Sequence, residues 1–343
     1  IVGGLLFVFY ESSISLSIGL ASSAASSVEV SLVNYLWPTM MVLLAAVGVV
    51  LGKRGWVKRD QSHALSNILL YVVTPCLIVN AYLVGFSMKR LIEFFQAIVA
   101  VTLVYSVSII VSHLIINKKF FKDQETRSVL LYGSAYSNAG FMGIPLVSAI
   151  LGESAVFFSV PYLVVCNFFM WTHGVALFSI EHKRSLRLRF LDALKNPNVI
   201  AAFIGFIIFV SGIKLPELVL TPIKSLVSVN TPLSMVVVGT NLGAISFSSK
   251  KNLKTVVFGT FARNILIPLI CLFILLSVPI SGQAAWAILI MASCPVPAVV
   301  VLFSLLNNFD TEVPTSYLCL STLCTIFTLP LIILVAQSLG YGG

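Results

Sequence analysis

The chain has 343 residues, of which 58% are apolar and only 10% are charged. Its mean hydropathy is +1.04, whereas a soluble domain is about half apolar and about a quarter charged. These values argue against a soluble enzyme or a nucleic-acid-binding protein and predict a polytopic membrane protein. The net charge of +9 does not indicate nucleic acid, because most lysines and arginines fall in short loops between apolar segments.

The first apolar segment, Ile1 to Ala21, contains Glu11 and is followed by a linker of small residues, Ser22 to Ser27. It lacks a basic leading region and is therefore not predicted to be a signal peptide. Ten further apolar segments follow, and a helix that crosses a bilayer needs about 20 residues. These predicted spans are 32–52, 65–86, 95–116, 128–151, 157–180, 199–212, 218–242, 256–278, 284–306 and 313–339.

Lysine and arginine are divided unequally between the two sides of this ten-span core. Sixteen lie on one side and four on the other, and Arg263 lies inside a span. Cytoplasmic loops are enriched in these residues, so the core is predicted to start and end outside, with the N-terminus of the leading segment inside. The sixteen are Lys53, Arg54, Lys58, Arg59, Lys118, Lys119, Lys122, Arg127, Lys183, Arg184, Arg187, Arg189, Lys195, Lys250, Lys251 and Lys254, and the four are Lys89, Arg90, Lys214 and Lys224.

The two halves of the core resemble each other. The Thr-Pro pair at Thr74 is echoed at Thr231, and Pro145 in the fourth span is echoed by Pro295 in the ninth. Because five is an odd number, two five-span repeats must cross the membrane in opposite directions. Inverted repeats with an interrupted helix in corresponding positions are typical of secondary transporters, whose substrate site lies near the midplane.

The sequence therefore predicts an all-α polytopic membrane protein with ten transmembrane helices and one extra N-terminal helix. The ten form two inverted five-helix repeats, with broken and crossed fourth and ninth helices. Residues 1–31 are assigned to the extra helix and its linker, 32–181 to the first inverted repeat and 182–343 to the second.

The two interrupted spans predict a binding site. The fourth carries an asparagine, two glycines and a proline between Ser134 and Pro145, and the ninth carries Met291-Ala-Ser-Cys-Pro-Val-Pro297. Such breaks survive in hydrocarbon only where protein or a watery cavity satisfies the freed backbone groups. Half-helix N-termini that meet there offer N–H donors and partial positive charge, which suit an anion. The predicted substrate-binding residues are Asn138, Ser137, Gly140, Gly143, Ser293 and Cys294, and the predicted crossover prolines are Pro145, Pro295 and Pro297.

Several of these residues have structural alternatives. Asn138 could instead form a hydrogen bond between helices, and Gly140 and Gly143 could simply permit close packing. The six cysteines lie in apolar segments without metal-ligand spacing and are predicted to pack as small apolar residues. Neither a metal-ligand motif nor a phosphate-binding loop is present, so no cofactor, metal site or catalytic residue is predicted.

Ionisable residues are scarce inside the predicted spans. No Asp or Glu lies deep in any of the ten, and a carboxylate there costs about 2.5–3.5 kcal/mol on insertion scales. Its absence argues against a carboxylate proton relay and leaves a cavity that tolerates an organic anion. His113 and His173 lie near span ends, where a packing or interfacial role is favoured over proton shuttling. Arg263 could attract an anion, but it is expected to snorkel to the interface.

The motif Asn138-Ala-Gly-Phe-Met-Gly-Ile-Pro-Leu146 resembles the fourth-span motif of the auxin efflux carrier family, which includes plant PIN-type carriers and many bacterial permeases. The resemblance continues through Leu51 to Ile78 and Pro232 to Gly239, and covers about residues 36 to 340. It implies the fold of the bile acid/sodium symporter superfamily, with a dimerising scaffold of spans one, two, six and seven and a moving transport domain. It also implies Asn138 as the substrate-site asparagine. The central loop is short, which favours a bacterial-type member.

The first 35 or so residues resemble a different family. Tyr10 to Ser23 and Val28 to Pro38 are similar to a helix of the bacterial aromatic amino acid exporters of the drug/metabolite transporter superfamily. This indicates a composite chain, as in an engineered fusion, in which Glu11 and Glu29 have no transport role.

These patterns together favour a secondary transporter in the cell membrane that exports an organic anion, auxin-like or a small carboxylate, by elevator-type alternating access. The expected partners are the anion, the lipid bilayer and a second copy of the chain, without nucleic acid. One alternative is a sodium-coupled organic anion symporter of the same fold. Another is a membrane receptor or regulatory subunit that binds its ligand without moving it. An intramembrane hydrolase is disfavoured because no serine and histidine pairing is visible.

Overall fold

The structure is a computed structural model that describes residues 43–178, 195–243, 252–280 and 282–341. The predictions for residues 1–31, and for most of the basic loop between the halves, lie outside these ranges. Within them the chain is helical and contains no strand. The prediction of an all-helical membrane protein is therefore confirmed.

Fifteen α-helices are labelled here in chain order. Four of the junctions between them are single π-helical turns, at Leu69–Val73, Ala139–Gly143, Met170–Gly174 and Ala262–Leu266. The first eight helices are α1 Leu43–Lys53, α2 Arg59–Ile68, α3 Thr74–Ala81, α4 Met88–Ile115, α5 Gln124–Ala135, α6 Ile144–Leu151, α7 Ser159–Phe169 and α8 Val175–Phe178. The other seven are α9 Pro197–Ser211, α10 Glu217–Gly243, α11 Leu253–Phe261, α12 Ile267–Ser277, α13 Gly282–Ala292, α14 Val299–Leu306 and α15 Glu312–Ser338.

Six helical segments in the described ranges are long and apolar enough to cross a membrane. The other predicted spans coincide with the shorter helices α1 and α9 and with the two pairs of half-helices, α5 with α6 and α13 with α14. The six are Ala64–Ala81, Met88–Ile115, Glu153–Phe178, Glu217–Gly243, Leu253–Ser277 and Glu312–Ser338.

Three of the π turns stand directly before a proline. Pro75, Pro145 and Pro268 each occupy the first turn of the helix that follows. Proline lacks an N–H group and its ring collides with the carbonyl one turn earlier. The wider π turn moves the proline ring away from that carbonyl, and the chain continues as a helix.

Glycines bring the backbones of α1 and α10 into direct contact. A β-carbon built on Gly239 would lie 1.9 Å from the carbonyl oxygen of Ala45, and one on Gly48 would lie 2.2 Å from the carbonyl oxygen of Val236. Gly243 faces α1 in the same way, with 2.5 Å to a carbonyl oxygen. Small residues spaced by four positions are the usual device for close helix approach in membranes.

Several loops meet at one end of the molecule. Ser62 at the start of α2 donates to Oδ1 of Asn241 at the end of α10 (3.0 Å). The main chain of Asp310, before α15, donates to the carboxylate of Glu125 in the first turn of α5 (3.3 Å). We call this the basic end. The lysines and arginines at this end include Lys53, Arg54, Lys58, Lys118, Lys119 and Lys122.

Candidate functional site

The first interrupted helix stops in the middle of an apolar segment. α5 ends at Ala135, and Tyr136 is extended, with φ −107° and ψ 146°. Asn138 follows with φ −76° and ψ 48°, which is not helical, and the chain returns to a helix through the π turn at Ala139–Gly143. The break therefore lies at residues 136–138, within the motif that the sequence singled out.

The second interrupted helix breaks in the corresponding place of the other half. α13 ends at Ala292, and α14 begins at Val299. Pro295 and Pro297 both lie between them, and neither can donate a main-chain hydrogen bond. A non-helical connection of six residues therefore separates the two half-helices.

A main-chain hydrogen bond joins the two breaks. The N–H of Asn138 donates to the carbonyl oxygen of Pro295 at 2.8 Å. These two residues are 157 positions apart, the same offset that separates Thr74 from Thr231. The structure thus brings the two interrupted segments together.

Arg263 occupies this meeting point, and the prediction that it would reach the interface was wrong. Its side chain is 1% exposed. Nε donates to the carbonyl of Cys294 at 3.0 Å, Nη1 donates to the carbonyl of Ser134 at 3.3 Å, and Nη2 donates to the carbonyl of Ala292. Helix ends leave their last carbonyls without intrahelical partners. The guanidinium satisfies such groups on both α5 and α13, and this outweighs the gain from snorkelling.

A second set of side chains fixes the break of the ninth span to α15. Asn264, the neighbour of Arg263 in the same π turn, accepts from the hydroxyl of Ser321 at 2.6 Å and donates to Thr325 at 2.8 Å. Ser321 in turn accepts from the main-chain N–H of Val296 at 3.0 Å. One turn of the chain, at Ala262–Leu266, therefore supports the crossing from two directions.

The main-chain N–H groups at the beginning of the two half-helices that follow the breaks have no hydrogen-bond partner among the residues that the structure describes. Within the described ranges, no hydrogen bond is formed by the N–H groups of Ala139, Gly140 and Phe141, or by those of Ala298 and Val299. An unpaired backbone group in a membrane costs several kcal/mol unless water or a ligand satisfies it. The carbonyl ends of the broken helices are thus capped by Arg263, while the ends with partial positive charge remain open.

Asn138 faces a small cavity at this place. The residue is 6% exposed, and its side-chain amide forms no hydrogen bond with the described residues. The cavity beside it has a volume of about 10 Å³, close to the minimum for one water molecule. Its lining residues are Asn138, Phe141, Val237, Val238, Asn241, Leu242, Ala298, Leu318, Cys319 and Thr322.

A larger cavity adjoins this one and leads toward the basic end. It has a volume of about 90 Å³ and shares Phe141, Asn241 and Ala298 with the smaller cavity. Its other lining residues include Ser62 and Thr315, from the first turns of α2 and α15. We call this larger cavity the vestibule. Phe141 and Asn241 were not among the predicted site residues, because an aromatic and an amide near helix ends are common in membrane bundles.

Three predicted site residues are buried at the crossing but do not line either cavity. The hydroxyl of Ser137 pairs with that of Tyr162 at 3.0 Å. Ser293 and Cys294 bond back to carbonyls of their own helix, at 2.7 and 3.4 Å. Cys294 also contributes the carbonyl held by Arg263. Their side chains therefore support the crossing, and any role in binding a ligand stays a prediction.

The predicted glycines and Pro145 differ in their surroundings. A β-carbon on Gly140 would meet nothing within 4 Å, whereas one on Gly143 would lie 3.2 Å from the side chain of Met291. Gly143 thus allows the two broken helices to pack. Pro145 lies in the first turn of α6, seven residues beyond Asn138. It is therefore not part of the break, which begins before the π turn that accommodates this proline.

The two histidines for which only packing was favoured are in contact with each other. Nε2 of His113 and Nε2 of His173 are 3.0 Å apart. They lie on different helical segments, 60 residues apart in sequence. Their contact could therefore not be predicted from the sequence.

Comparison with known proteins gives two kinds of match. Residues 39–333 match the protein family described as "Membrane transport protein". The chain is 23% identical over 303 residues to the "Uncharacterized transporter MJ1031" of Methanocaldococcus jannaschii, covering 85% of this chain and 95% of that protein. It is also 47% identical over 45 residues to the "Aromatic amino acid exporter YddG" of Escherichia coli, covering 13% of this chain and 15% of that exporter.

Proposed function

Because this chain belongs to the membrane transport protein family, we propose that it is a secondary transporter that carries an organic anion outward across the cell membrane. The substrate class is an auxin-like or other small carboxylate. As a member of a family of membrane transporters, the chain is not an enzyme. The observation that carries the proposal is the set of unpaired N–H donors beside the unbonded amide of Asn138.

The charges at the crossing favour an anion. Arg263 brings a guanidinium group to the crossing, and within the described ranges no carboxylate forms an ion pair with it. Its hydrogen bonds neutralise the negative ends of α5 and α13. A ligand carboxylate would therefore meet free N–H groups, a side-chain amide and net positive charge, without an opposing Asp or Glu.

The proposed architecture is ten spans in two inverted five-helix repeats. The recurrence of the Thr-Pro pair of Thr74 at Thr231, and of Pro145 at Pro295, supports it. So does the hydrogen bond between the two breaks, since a pseudo-twofold axis brings equivalent interrupted helices together. We assign the basic end to the cytoplasm, because short cytoplasmic loops collect lysine and arginine.

Movement of the site is part of the proposal. The cavity at Asn138 has a volume of about 10 Å³, so no organic anion fits it without displacement of the surrounding helices. α1 and α10 are locked together by their glycines, and α3 packs against both α9 and α10. We assign these helices to a fixed scaffold, which pairs with that of a second copy. The crossing and its supporting helices slide against the scaffold as an elevator.

The test begins with binding and then measures transport. Purified protein is heated with benzoate, indole-3-acetate or succinate, and a bound carboxylate raises the unfolding temperature. The best of the three is then used, radiolabelled, for counterflow in proteoliposomes without any ion gradient. Counterflow of at least one carboxylate is expected. Its complete absence would refute transport, and binding without counterflow would favour a receptor. Counterflow that requires sodium would favour the sodium-coupled alternative.

Asn138→Ala tests the site. A hydrogen bond to a charged ligand contributes about 1.5–3 kcal/mol, so the affinity for the carboxylate should fall about tenfold or more. The unfolding temperature should stay unchanged, because the amide has no partner among the described residues. Asn167→Ala is the matched control, because Asn167 is equally buried but bonds only to its own helix. Equal affinities for the Asn138 variant and wild type would remove Asn138 from the site.

A further inference from the structure

A chain of hydrogen bonds connects two histidines to the first break. Nε2 of His113 lies 3.0 Å from Nε2 of His173. Nδ1 of His173 lies 2.8 Å from the hydroxyl of Tyr136, which donates to the carbonyl of Phe169 at 2.9 Å. Tyr136 is the first residue after α5, two positions before Asn138. We call His113 and His173 the imidazole pair.

The network fixes which nitrogen carries each proton. The single hydroxyl proton of Tyr136 is used by the carbonyl of Phe169, so Nδ1 of His173 must donate to the tyrosine oxygen. A neutral His173 then has a lone pair on Nε2, and His113 must donate to it from its own Nε2. The Nδ1 atom of His113 is left with a free lone pair, and it forms no hydrogen bond with the described residues.

The pair can therefore take up one proton and no more. A proton from water adds to Nδ1 of His113, whose Nε2–H continues to donate to His173, now as a charge-assisted bond. A second proton would have to occupy Nε2 of His173 and would place two N–H groups against each other. Release reverses the first step and returns the proton to water. His113 is exposed near the end of α4, whereas His173 is partly buried, so exchange takes place at His113.

The surroundings of the pair contain no charged side chain that bonds to it within the described ranges. The titratable groups that face the network are tyrosines and a cysteine. Tyr105 of α4 and Tyr132 of α5 lie with ring centroids 5.9 and 4.9 Å from that of Tyr136, and Cys166 of α7 also lies near Tyr136.

We infer that the imidazole pair binds the proton that couples transport, and that this proton crosses the membrane together with the organic anion. The inference rests on the proposed transport function and adds the identity of the coupling ion. α4, which carries His113, packs against α5 and α7, and the π turn that carries His173 packs against α7 and α8. A bound proton there favours binding of the anion, and the anion favours binding of the proton to the same degree. A monocarboxylate then moves without net charge, and outward flux occurs whenever its own gradient exceeds that of the proton.

The decisive experiment compares two fluxes in the same proteoliposomes. Labelled benzoate and succinate are the probes, the membrane potential is clamped, and liposomes without protein correct for passive diffusion of the acid. Uptake of the labelled acid is measured with an acidic exterior and again with equal pH on both sides, and each value is divided by the counterflow measured at equal pH. For wild type, the quotient obtained with the acidic exterior should be several-fold larger than the quotient obtained at equal pH. His113→Gln and His173→Gln, which keep a hydrogen-bonding amide but bind no proton, should lower the ratio to the level without a gradient.

The matched control is Ser128→Ala. It removes a hydrogen bond of 2.7 Å between α5 and the carbonyl of Leu177 in α8, close to the pair but without a titratable group. This variant should keep the wild-type ratio. A wild-type flux that ignores the pH gradient would overturn the inference. So would glutamine variants that keep the gradient-driven ratio, or that lose both fluxes in proportion to a lower unfolding temperature.

A second readout separates this inference from the proposed function. The chain contains four histidines, so NMR of protein labelled with ¹⁵N-histidine resolves their protonation directly. One imidazole pair should gain a single proton over the range of an acidic pH titration, while its Nε2–H to Nε2 coupling persists. If no carboxylate shows counterflow, this titration still tests the proton site. A pair that stays neutral over that range, or loses its coupling on protonation, would overturn it.

Discussion

The guanidinium Nε of Arg263 lies 3.0 Å from the carbonyl oxygen of Cys294, while Nη1 of the same group reaches the carbonyl of Ser134 in the other half of the molecule. One side chain therefore holds the ends of two half-helices that are far apart in sequence. The contact explains how a permanent charge is retained among buried apolar residues. It also makes the two breaks a single mechanical unit.

Replacing Arg263 should destabilise the protein strongly. Arg263→Met keeps the length of the side chain but leaves three buried carbonyls unpaired, at about 1–3 kcal/mol each. The unfolding temperature in detergent should fall by more than for any other variant discussed here. Arg263→Lys keeps the charge but not the fork of donors and should give an intermediate value. A methionine variant with the wild-type unfolding temperature would contradict the bridging role.

Ser321→Ala tests the support of the second break. The substitution leaves the N–H of Val296 and Oδ1 of Asn264 without the hydroxyl that now serves both. We expect a loss of about 1–3 kcal/mol, measured as a lower unfolding temperature. Thr328→Ala is the comparison, because its contact with Asn264 is a long one of 3.4 Å. Equal effects of the two changes would argue against a special role for Ser321.

Gly239→Ala should separate α1 from α10. The added methyl group would lie 1.9 Å from the carbonyl oxygen of Ala45, a distance that only a backbone shift can relieve, and overpacking of this kind costs about 1–3 kcal/mol. Gly140→Ala is the control, because its methyl group meets nothing within 4 Å. Thermal unfolding of both variants provides the measurement. An alanine at 239 that is as stable as one at 140 would contradict the packing.

Asp123 should contribute stability that depends on pH. It accepts from the main chain of Thr126 at 2.8 Å as the N-cap of α5. A hydrogen bond from the Thr126 side chain, together with main-chain donors and Arg127, lowers the pKa of Asp123 below 3.8. The ionised carboxylate therefore stabilises the folded state above its ordinary pKa, and this contribution disappears as the pH falls through the lowered value.

The expected result is a loss of acid sensitivity in Asp123→Asn. Asparagine still caps the helix but does not titrate, so the difference from wild type should narrow as the pH falls from about 5 to about 2. Unfolding temperatures across this range give the measurement. A difference that stays constant with pH would show that the carboxylate acts only as a hydrogen-bond acceptor.

The interrupted helices could be predicted from sequence because their cause is local. Glycine, proline and asparagine in an apolar segment leave backbone groups that need partners, whatever the rest of the fold. The break nevertheless lies at Tyr136 to Asn138 and not at Pro145. A proline in the first turn of a helix costs little, and the preceding π turn absorbs its bulk.

The environment of Arg263 could not be predicted, because its partners are main-chain carbonyls up to 129 residues away. Every residue has a carbonyl, so no sequence signal marks those that lack a partner. The contact between His113 and His173 was hidden for a similar reason, since each histidine alone resembles an interfacial residue. The glycines of α1 and α10 did carry a visible signal, the repeated four-residue spacing of Gly48 with Gly52 and of Gly239 with Gly243.

The small size of the cavity beside Asn138 also bears on inhibitor discovery. A compound library docked into this conformation would find no room at the crossing, where the free volume is about 10 Å³. The vestibule, at about 90 Å³, is the place where a wedge-shaped blocker could enter between α2, α10 and α15. If the proposed sliding movement takes place, compounds that bind in the vestibule would block it without resembling the substrate.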